Sequence, residues 1–351
     1  MEKRNKEIDI IKGIATLLVL WGHSIQYFSL DNFSFYENWM FRGIYSFHMP
    51  LFMIVSGYLF FYSKKRHSFR KLCISRIKSL GGPLIIWGGC YGFITQSVRS
   101  IFYHEPISYY NLGKEFFANW FIWSVLIISI NVAVIENICD ICLKKIIAYA
   151  LSIIFLSLLP CSENNLFMFP FFVFGYYANK NKMLPRKICW DKRIHLLIPI
   201  LFIFSLRFYG IEDFVYISGV NPFTSTEGFY RQIGIDIYRW YVGLIGSFAI
   251  IIAVKYLIKL VSETNRLVIW VEKVGQHSLQ IYLLQRILLE NLGYYVAQII
   301  FLNIGYNPLI LNIQIYNLLI TPLIATSYAC IILYIINVFN KLKLSRFLFG
   351  R

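Results

Sequence analysis

The sequence is poor in charged residues, and acidic residues are especially scarce. Asp, Glu, Lys and Arg make up 15% of the 351 residues, with 18 acidic side chains against 34 Lys and Arg. Hydrophobic residues account for 58%, and the mean hydropathy is +0.58. An ordinary soluble domain carries about 25% charged residues, and a disordered chain is far less hydrophobic. Both classes are therefore excluded.

The sequence also lacks a disulfide framework. Its seven cysteines are odd in number and scattered, mostly inside or beside apolar segments. Cys139 and Cys142 form one CxxC pair, but no second pair and no nearby histidine completes a metal site. We predict that no metal is bound, and we exclude a secreted disulfide-rich scaffold.

No phosphate-binding GxGxxG or Walker motif is present, and inspection shows no internal repeat or low-complexity tract. The net charge of +16 is high enough to suggest a nucleic acid partner. The charges, however, cluster between apolar segments and form no basic, aromatic-interleaved surface. We therefore predict that nucleic acid is not a partner and that the charge reflects membrane topology.

Long apolar segments are what the sequence has in abundance, and each is close to the length of roughly 20 residues that a spanning helix needs. The predicted spans are residues 8–28, 43–62, 81–101, 117–137, 146–160, 166–179, 194–209, 238–258, 276–302 and 315–339. An N-terminus on the cytoplasmic side places 27 of the 34 Lys and Arg in cytoplasmic segments. The sequence thus predicts an all-α, polytopic transmembrane bundle of about ten helices with both termini cytoplasmic. We expect this bundle to form one transmembrane domain over residues 1–351, without a separate soluble domain.

Two histidines lie inside apolar segments, where an ionisable residue is costly and is a functional candidate by default. His23 follows Gly22 on the first predicted helix, and His48 lies on the second. Lys12 precedes His23 by eleven residues, about three helical turns, so both side chains share a face about 16 Å apart. Asp9, one turn before Lys12, can pair with it or with the basic loop. Simple packing for the histidines and snorkelling for Lys12 remain alternatives.

A basic segment precedes the third predicted helix. Residues 63–80 contain seven Lys and Arg and no acid, which topology and anionic headgroups can explain by themselves. Arg76 and Lys78 differ from the others because they lie directly before the helix that begins near Pro83. Cations at that place can reach a cytoplasmic opening and hold the phosphates of a ligand.

These residues also form motifs that resemble a known family. The first of these motifs runs from Ile8 through Lys12 to Gly22 and His23, and the second consists of Phe47-His48-Met49-Pro50 followed by Ser56-Gly57-Tyr58. Together they are similar to the integral-membrane acyltransferase 3 family, above all to its fucose 4-O-acetylase-like members. Lys12 and His23 match the family signature of a basic residue, ten spacers and a histidine. Weaker matches are Arg76 before Pro83, Asn119 to Trp123, Phe169 to Phe172, and Gly275 to Tyr282.

The sequence departs from the family pattern at two positions. Ser79 stands where a second arginine is common, which leaves the phosphate contacts open. Gln285 stands where a histidine often follows the Ile-Tyr pair, which suggests that this position is not essential here.

The resemblance implies transfer of an acyl group, usually acetyl, from coenzyme A to a hydroxyl of a glycan. Lys12, Arg76 and Lys78 would then hold phosphates of acetyl-CoA, the acyl-donor substrate, while its extended pantetheine arm reaches His23. His23 would act as general base on the acceptor hydroxyl, with an acyl-histidine intermediate as the alternative.

Two further residues receive roles from the same resemblance. His48 would orient His23, bind the acceptor or relay protons, and these three roles remain open. Trp120 would stack on a sugar of the saccharide acceptor. The implied location is a bacterial cytoplasmic (inner) membrane, where membrane lipids are the remaining partners.

Two other classes of function compete with this interpretation. A glycan or lipid transporter, or a flippase, would fit the number of spans, although no repeat or paired broken helices are visible. A glycan polymerase or glycosyltransferase would normally need paired carboxylates, and the predicted helices offer few acids.

Overall fold

The structure is a computed structural model that describes residues 5–28, 34–182, 192–223, 225, 227–262, 264–304 and 313–350. All regular secondary structure in these ranges is helical, which confirms the all-α prediction. The N-terminal residues 1–4 and most of the predicted basic connection 180–193 lie outside the described residues.

Most of the described helices follow the apolar segments of the sequence, and four short ones lie in the predicted connections. Those longer than one turn are α1 (Lys6–Phe28), α2 (Trp39–Arg66), α3 (Phe69–Arg76), α4 (Gly82–Tyr103), α5 (Tyr109–Phe116), α6 (Trp120–Ile138), α7 (Cys142–Ser157), α8 (Ser162–Lys180), α9 (Lys192–Leu206), α10 (Phe229–Leu260), α11 (Arg266–Gln276), α12 (Ser278–Gln285), α13 (Tyr294–Ile304), α14 (Thr321–Lys341) and α15 (Ser345–Phe349). Wider π-helical turns occupy Ile77–Gly81, Arg286–Gly293 and Tyr316–Ile320.

Five of the described helices are long and apolar enough to cross a membrane. They are Lys6–Phe28, Trp39–Arg66, Trp120–Ile138, Phe229–Leu260 and Tyr316–Lys341. Their lengths of 19 to 32 residues suit a hydrocarbon core of roughly 30 Å at a rise of about 1.5 Å per residue. The protein is therefore a membrane protein, whereas the ten spans and the cytoplasmic termini stay predictions.

The helices group into two compact units. Unit one contains Met1–His48, Leu197–Ile211 and Ile245–Ser345, and unit two contains Met49–Leu196, Glu212–Leu244 and Arg346–Arg351. Each unit combines segments that are distant in sequence, so neither corresponds to a contiguous stretch of the chain.

In unit one, glycines bring the backbones of α1 and α11 into direct contact. A Cβ atom at Gly275 would lie 1.8 Å from the Asp9 carbonyl oxygen, and one at Gly13 would lie 2.1 Å from the Val271 oxygen. Only glycine fits at either position. Because small residues let membrane helices approach this closely, α1 is held firmly along the turn that carries Lys12.

In unit two, glycines likewise bring the backbones of α2 and α8 into direct contact. A Cβ atom at Gly57 would lie 2.0 Å from the Phe172 oxygen, and one at Gly175 would lie 2.0 Å from the Ile54 oxygen. The Ser56-Gly57-Tyr58 motif noted in the sequence thus has a packing reason.

The carboxylate of Glu136, near the end of α6, has several hydrogen-bond and ion-pair partners in unit two. Its nearest partners are Tyr177 Oη at 2.7 Å, Lys180 Nζ at 2.9 Å and Tyr176 Oη at 3.0 Å. Three more donors approach the same carboxylate at 3.3 to 4.0 Å, namely Tyr149, Lys145 and Lys64. This Glu136 cluster links α2, α6, α7 and α8.

Candidate active site

His23 lies on α1 beside the ring of Tyr45, and the neighbouring Gly22 leaves space for that ring. A Cβ atom at Gly22 would lie 2.7 Å from Tyr45 Cε2, so a side chain there would displace the ring. The absence of a side chain at Gly22 lets Tyr45 lie against α1, one residue from the imidazole. The Gly22-His23 pair in the sequence therefore allows an aromatic ring of α2 to pack against α1.

The hydroxyl group of Tyr45 joins His23 to Gln26. Tyr45 Oη lies 3.1 Å from His23 Nδ1 and donates to Gln26 Oε1, also at 3.1 Å. A phenol has one proton to donate, and an amide oxygen can only accept. When Tyr45 Oη donates to Gln26 it accepts from His23 Nδ1–H, and the neutral imidazole then carries its lone pair on Nε2.

Glu290 lies on the Nε2 side of the same imidazole. Its Oε1 atom is 3.5 Å from His23 Nε2, and its Oε2 atom is 3.5 Å from Arg286 Nη1. Gln285 Nε2 also donates to Glu290 Oε1 at 2.6 Å. All these groups belong to unit one, and Glu290 is on a π-helical turn, a form that recurs at functional sites. A carboxylate in this position stabilises the imidazolium that forms when Nε2 takes a proton.

His48 lies on the other side of Tyr45. Its Nδ1 atom donates to the Ile44 carbonyl oxygen at 2.7 Å, so Nε2 carries the lone pair here too. The centroid of the Tyr45 ring is 4.8 Å from that of His48 and 6.0 Å from that of His23. The structure thus places both predicted histidines in contact with one tyrosine.

Lys12 and Asp9 form an ion pair at the first turns of α1. Lys12 Nζ lies 3.2 Å from Asp9 Oδ1. Lys12 and His23 are both partly exposed, whereas their neighbours Ile11 and Gly22 are buried. The two side chains are therefore accessible on one face of the helix, at the spacing that the sequence predicts.

Arg76 and Lys78 belong to unit two. Arg76 Nη2 donates to Ser63 Oγ at 3.1 Å, and its guanidinium carbon lies 5.0 Å from the centroid of the Phe60 ring. Lys78 is exposed on the π-helical turn Ile77–Gly81. Contacts with α2 thus orient the arginine, while the lysine stays open to solvent.

Trp120 is the first residue of α6 and follows a buried amide. Asn119 is 1% exposed, and neither side-chain polar atom has a hydrogen-bond partner among the described residues. The Trp123 indole nitrogen is likewise buried and without a partner there. Because buried polar groups nearly always find a partner, these atoms are candidates for binding a polar ligand beside Trp120.

Sequence reasoning missed most of the groups around His23. They are Tyr45, Gln26, Glu290, Arg286 and Gln285, and the last position had been interpreted as inessential. One signal was available, because Arg286 and Glu290 are four residues apart in a predicted span and such a pair is a functional candidate. Within the described residues, no group of three His, Cys, Asp or Glu side chains could hold a metal ion.

The comparisons with known proteins agree with the motifs. Residues 5–338 match a family model described as an acyltransferase domain. The chain is 31% identical over 186 residues to nodulation protein NolL of Sinorhizobium fredii, which covers 49% of this chain and 48% of that protein. It is 31% identical over 181 residues to NolL of Mesorhizobium japonicum, with 49% and 47% covered.

The chain thus spans about half the length of the curated relatives it matches, at 48% and 47%. No solved structure matches it significantly. The family model, in contrast, covers nearly the whole chain, including both histidines and every cation discussed above. The chain therefore belongs to the acyltransferase 3 family.

Proposed function

We propose that this protein is a multi-pass O-acyltransferase of the bacterial cytoplasmic membrane. It transfers an acetyl group from acetyl-CoA to a hydroxyl of a saccharide that belongs to a surface polysaccharide or its lipid-linked precursor. The observation that carries the proposal is the arrangement of His23, with Nδ1 bound to Tyr45 and Nε2 facing Glu290. Membership of the acyltransferase 3 family supports the reaction class.

In the proposed reaction, His23 Nε2 takes the proton of the acceptor hydroxyl as its oxygen attacks the thioester carbonyl carbon. The tetrahedral intermediate then collapses, the carbon–sulfur bond breaks, and the sulfur leaves with the proton returned by Nε2. Glu290 stabilises the imidazolium between these two steps. Tyr45 keeps Nδ1 protonated throughout. Attack by Nε2 itself, giving an acyl-histidine, is the alternative.

Lys12, and separately Arg76 and Lys78, are the proposed donor-site cations, whose charges would bind phosphates of coenzyme A. Asp9 holds Lys12 at 3.2 Å and would orient its ammonium group. The helical rise separates Lys12 from His23 by about 16 Å, a gap that an extended pantetheine arm would bridge. Trp120, next to the buried Asn119 amide, would bind a sugar of the acceptor.

A direct assay separates this proposal from a glycan transporter. Purified full-length protein in lipid nanodiscs receives acetyl-CoA with or without glycan from a strain that lacks the gene. We expect mass spectrometry to show free coenzyme A and acetylated glycan only when both substrates are present. In a parallel experiment with the protein in closed lipid vesicles, movement of glycan into the vesicles without release of coenzyme A would contradict the proposal and support the transporter.

Removal of a cation from the proposed donor site is expected to weaken binding of acetyl-CoA. In Lys12→Ala and Arg76→Ala, KM for acetyl-CoA should rise roughly tenfold or more, because hydrogen bonds to charged groups contribute about 1.5–3 kcal/mol. The value of kcat at saturation should change little. Steady-state kinetics at several acetyl-CoA concentrations will measure both.

Arg231→Ala is the matched control, because Arg231 is a cation whose side chain is 64% exposed and pairs with Glu227 at 3.0 Å. Its KM should remain that of the wild type. Unchanged KM values in both test variants would assign Lys12 and Arg76 to membrane topology alone.

A further inference from the structure

Unit two contains a cavity of about 440 Å³ for which the reaction described above has no use. It lies between the first turn of α8 and the segment that begins with the one-turn helix Val215–Ser218. Glu163, Asn164, Tyr216 and Asn221 are among the residues that line it. The volume falls in the range of roughly 300–1,000 Å³ that is usual for small-molecule sites.

Hydrogen bonds to the backbone hold one wall of the cavity in place. Glu163 Oε2 accepts from the Val220 amide, and Gln232 Nε2 donates to the Gly219 carbonyl oxygen at 3.1 Å. Gly219 has φ +71°, a left-handed conformation that favours glycine. A Cβ atom there would also lie 3.3 Å from Glu163 Oε2. The wall is therefore fixed by contacts from both α8 and α10.

A buried ion pair also holds the same wall in place. Arg239, which is 1% exposed, donates to Ser218 Oγ at 2.6 Å and lies 3.2 Å from Asp236 Oδ1. Ser218 Oγ in turn donates to the Glu212 carbonyl oxygen at 2.8 Å. A site whose wall is already ordered loses little conformational entropy when a ligand binds.

The groups that face the cavity are suited to hydroxyls. Glu163 Oε1, the Asn164 amide and Asn221 Nδ2 have no hydrogen-bond partner among the described residues. They offer acceptors and donors together, and the Tyr216 side chain beside them is 55% exposed. No Lys or Arg occurs among the described lining residues, and Glu163 is the single carboxylate there. This lining disfavours phosphates and acidic sugars.

We propose that this cavity binds a neutral sugar unit of the acceptor saccharide. The sugar hydroxyls bond to Glu163 Oε1 and to the amides of Asn164 and Asn221, while an apolar face of the ring packs on Tyr216. The class of acceptor in this inference rests on the proposed function. The inference adds a binding site for that acceptor within unit two.

Saturation-transfer NMR tests the proposal on the full chain in phosphatidylcholine nanodiscs, without a sugar-based detergent and without acetyl-CoA. The neutral probes are the methyl glycosides of glucose, galactose and N-acetylglucosamine, and the anionic probes are glucuronate and glucose 1-phosphate. We expect saturation of at least one neutral probe and none of the anionic ones. Binding should be roughly tenfold weaker in Tyr216→Ala and in Asn164→Ala.

Tyr230→Ala is the control, since Tyr230 is 87% exposed and does not line the cavity. It should bind the probes as the wild type does. Saturation of no neutral probe, preference for the anionic probes, or wild-type binding in both cavity variants would overturn the proposal.

Because binding is measured without the donor, the two proposals can fail separately. Probe binding that depends on Tyr216, in a protein that never releases coenzyme A, would contradict the acyltransferase proposal alone. Acetyl transfer by a protein whose cavity variants bind the probes normally would contradict the sugar site alone.

Discussion

Replacement of His23 by alanine is expected to lower acetyl transfer by roughly 10²–10⁴-fold, the usual effect of losing a general base. The substitution removes the Nε2 atom that faces Glu290 at 3.5 Å. The fold should persist, because Tyr45 Oη still donates to Gln26 and the close contact of α1 with α11 does not involve this residue. Release of coenzyme A under saturating substrates measures the rate, and thermal unfolding of the same sample checks the fold.

Two further substitutions refine the assignment. Tyr45→Phe keeps the ring that lies against Gly22 but removes the bond to Nδ1, so kcat should fall while KM for acetyl-CoA stays the same. His48→Ala should also show a clear defect, and full activity there would reduce His48 to a packing residue. Wild-type rates in folded His23→Ala would refute the base assignment altogether.

Replacement of Glu136 by alanine is expected to cause the largest loss of stability. Its side chain is 2% exposed and faces three lysines and three tyrosine hydroxyls. Removing one partner of a buried ion pair costs about 3–5 kcal/mol, and the lower end applies because Lys64 and Lys180 are about 30% exposed (28% and 32%). The unfolding midpoint in nanodiscs, followed by circular dichroism, should fall accordingly.

Glu227→Ala serves as the control for this measurement. Its partner Arg231 is 64% exposed, and surface ion pairs contribute about 0–1 kcal/mol. Glu136→Gln should lie between the two, because an amide keeps hydrogen bonds to the tyrosines but loses the charge. Equal midpoints for the Glu136→Ala and Glu227→Ala variants would show that the Glu136 cluster contributes little.

The course of the helices could be predicted from the sequence because long apolar runs have few alternatives in a membrane. The π-helical turns could not, since Arg286–Gly293 continues the apolar pattern of the predicted span 276–302 without a local signal. The predicted span 276–302 also holds the polar residues Gln285, Arg286 and Glu290. It is not among the five long apolar helices found in the described part of the chain.

Only some residues of the candidate site could be predicted from the sequence, for a related reason. His23 and Lys12 attract notice individually, as costly groups in an apolar segment. Tyr45 does not, because it is one of 25 tyrosines and nothing in its neighbourhood sets it apart. Its contacts with Gly22, His23 and Gln26 are tertiary. They exist only once α1 and α2 are packed, and no spacing rule connects them beforehand.

The Tyr45 hydroxyl also limits the order of events on His23. Its proton points to an amide oxygen, Gln26 Oε1, which has none to give back. Tyr45 Oη then holds the Nδ1 proton while its own proton is engaged with Gln26, which leaves Nε2 as the atom that exchanges a proton with the substrates. In the general-base mechanism proposed above, the alcohol oxygen and the thioester sulfur exchange this proton on the Nε2 side of the ring, where Glu290 Oε1 lies 3.5 Å away. Direct transfer on that side needs both substrates bound together, so we expect a double-reciprocal plot with intersecting lines, whereas the acyl-histidine alternative would give the parallel lines of a ping-pong enzyme.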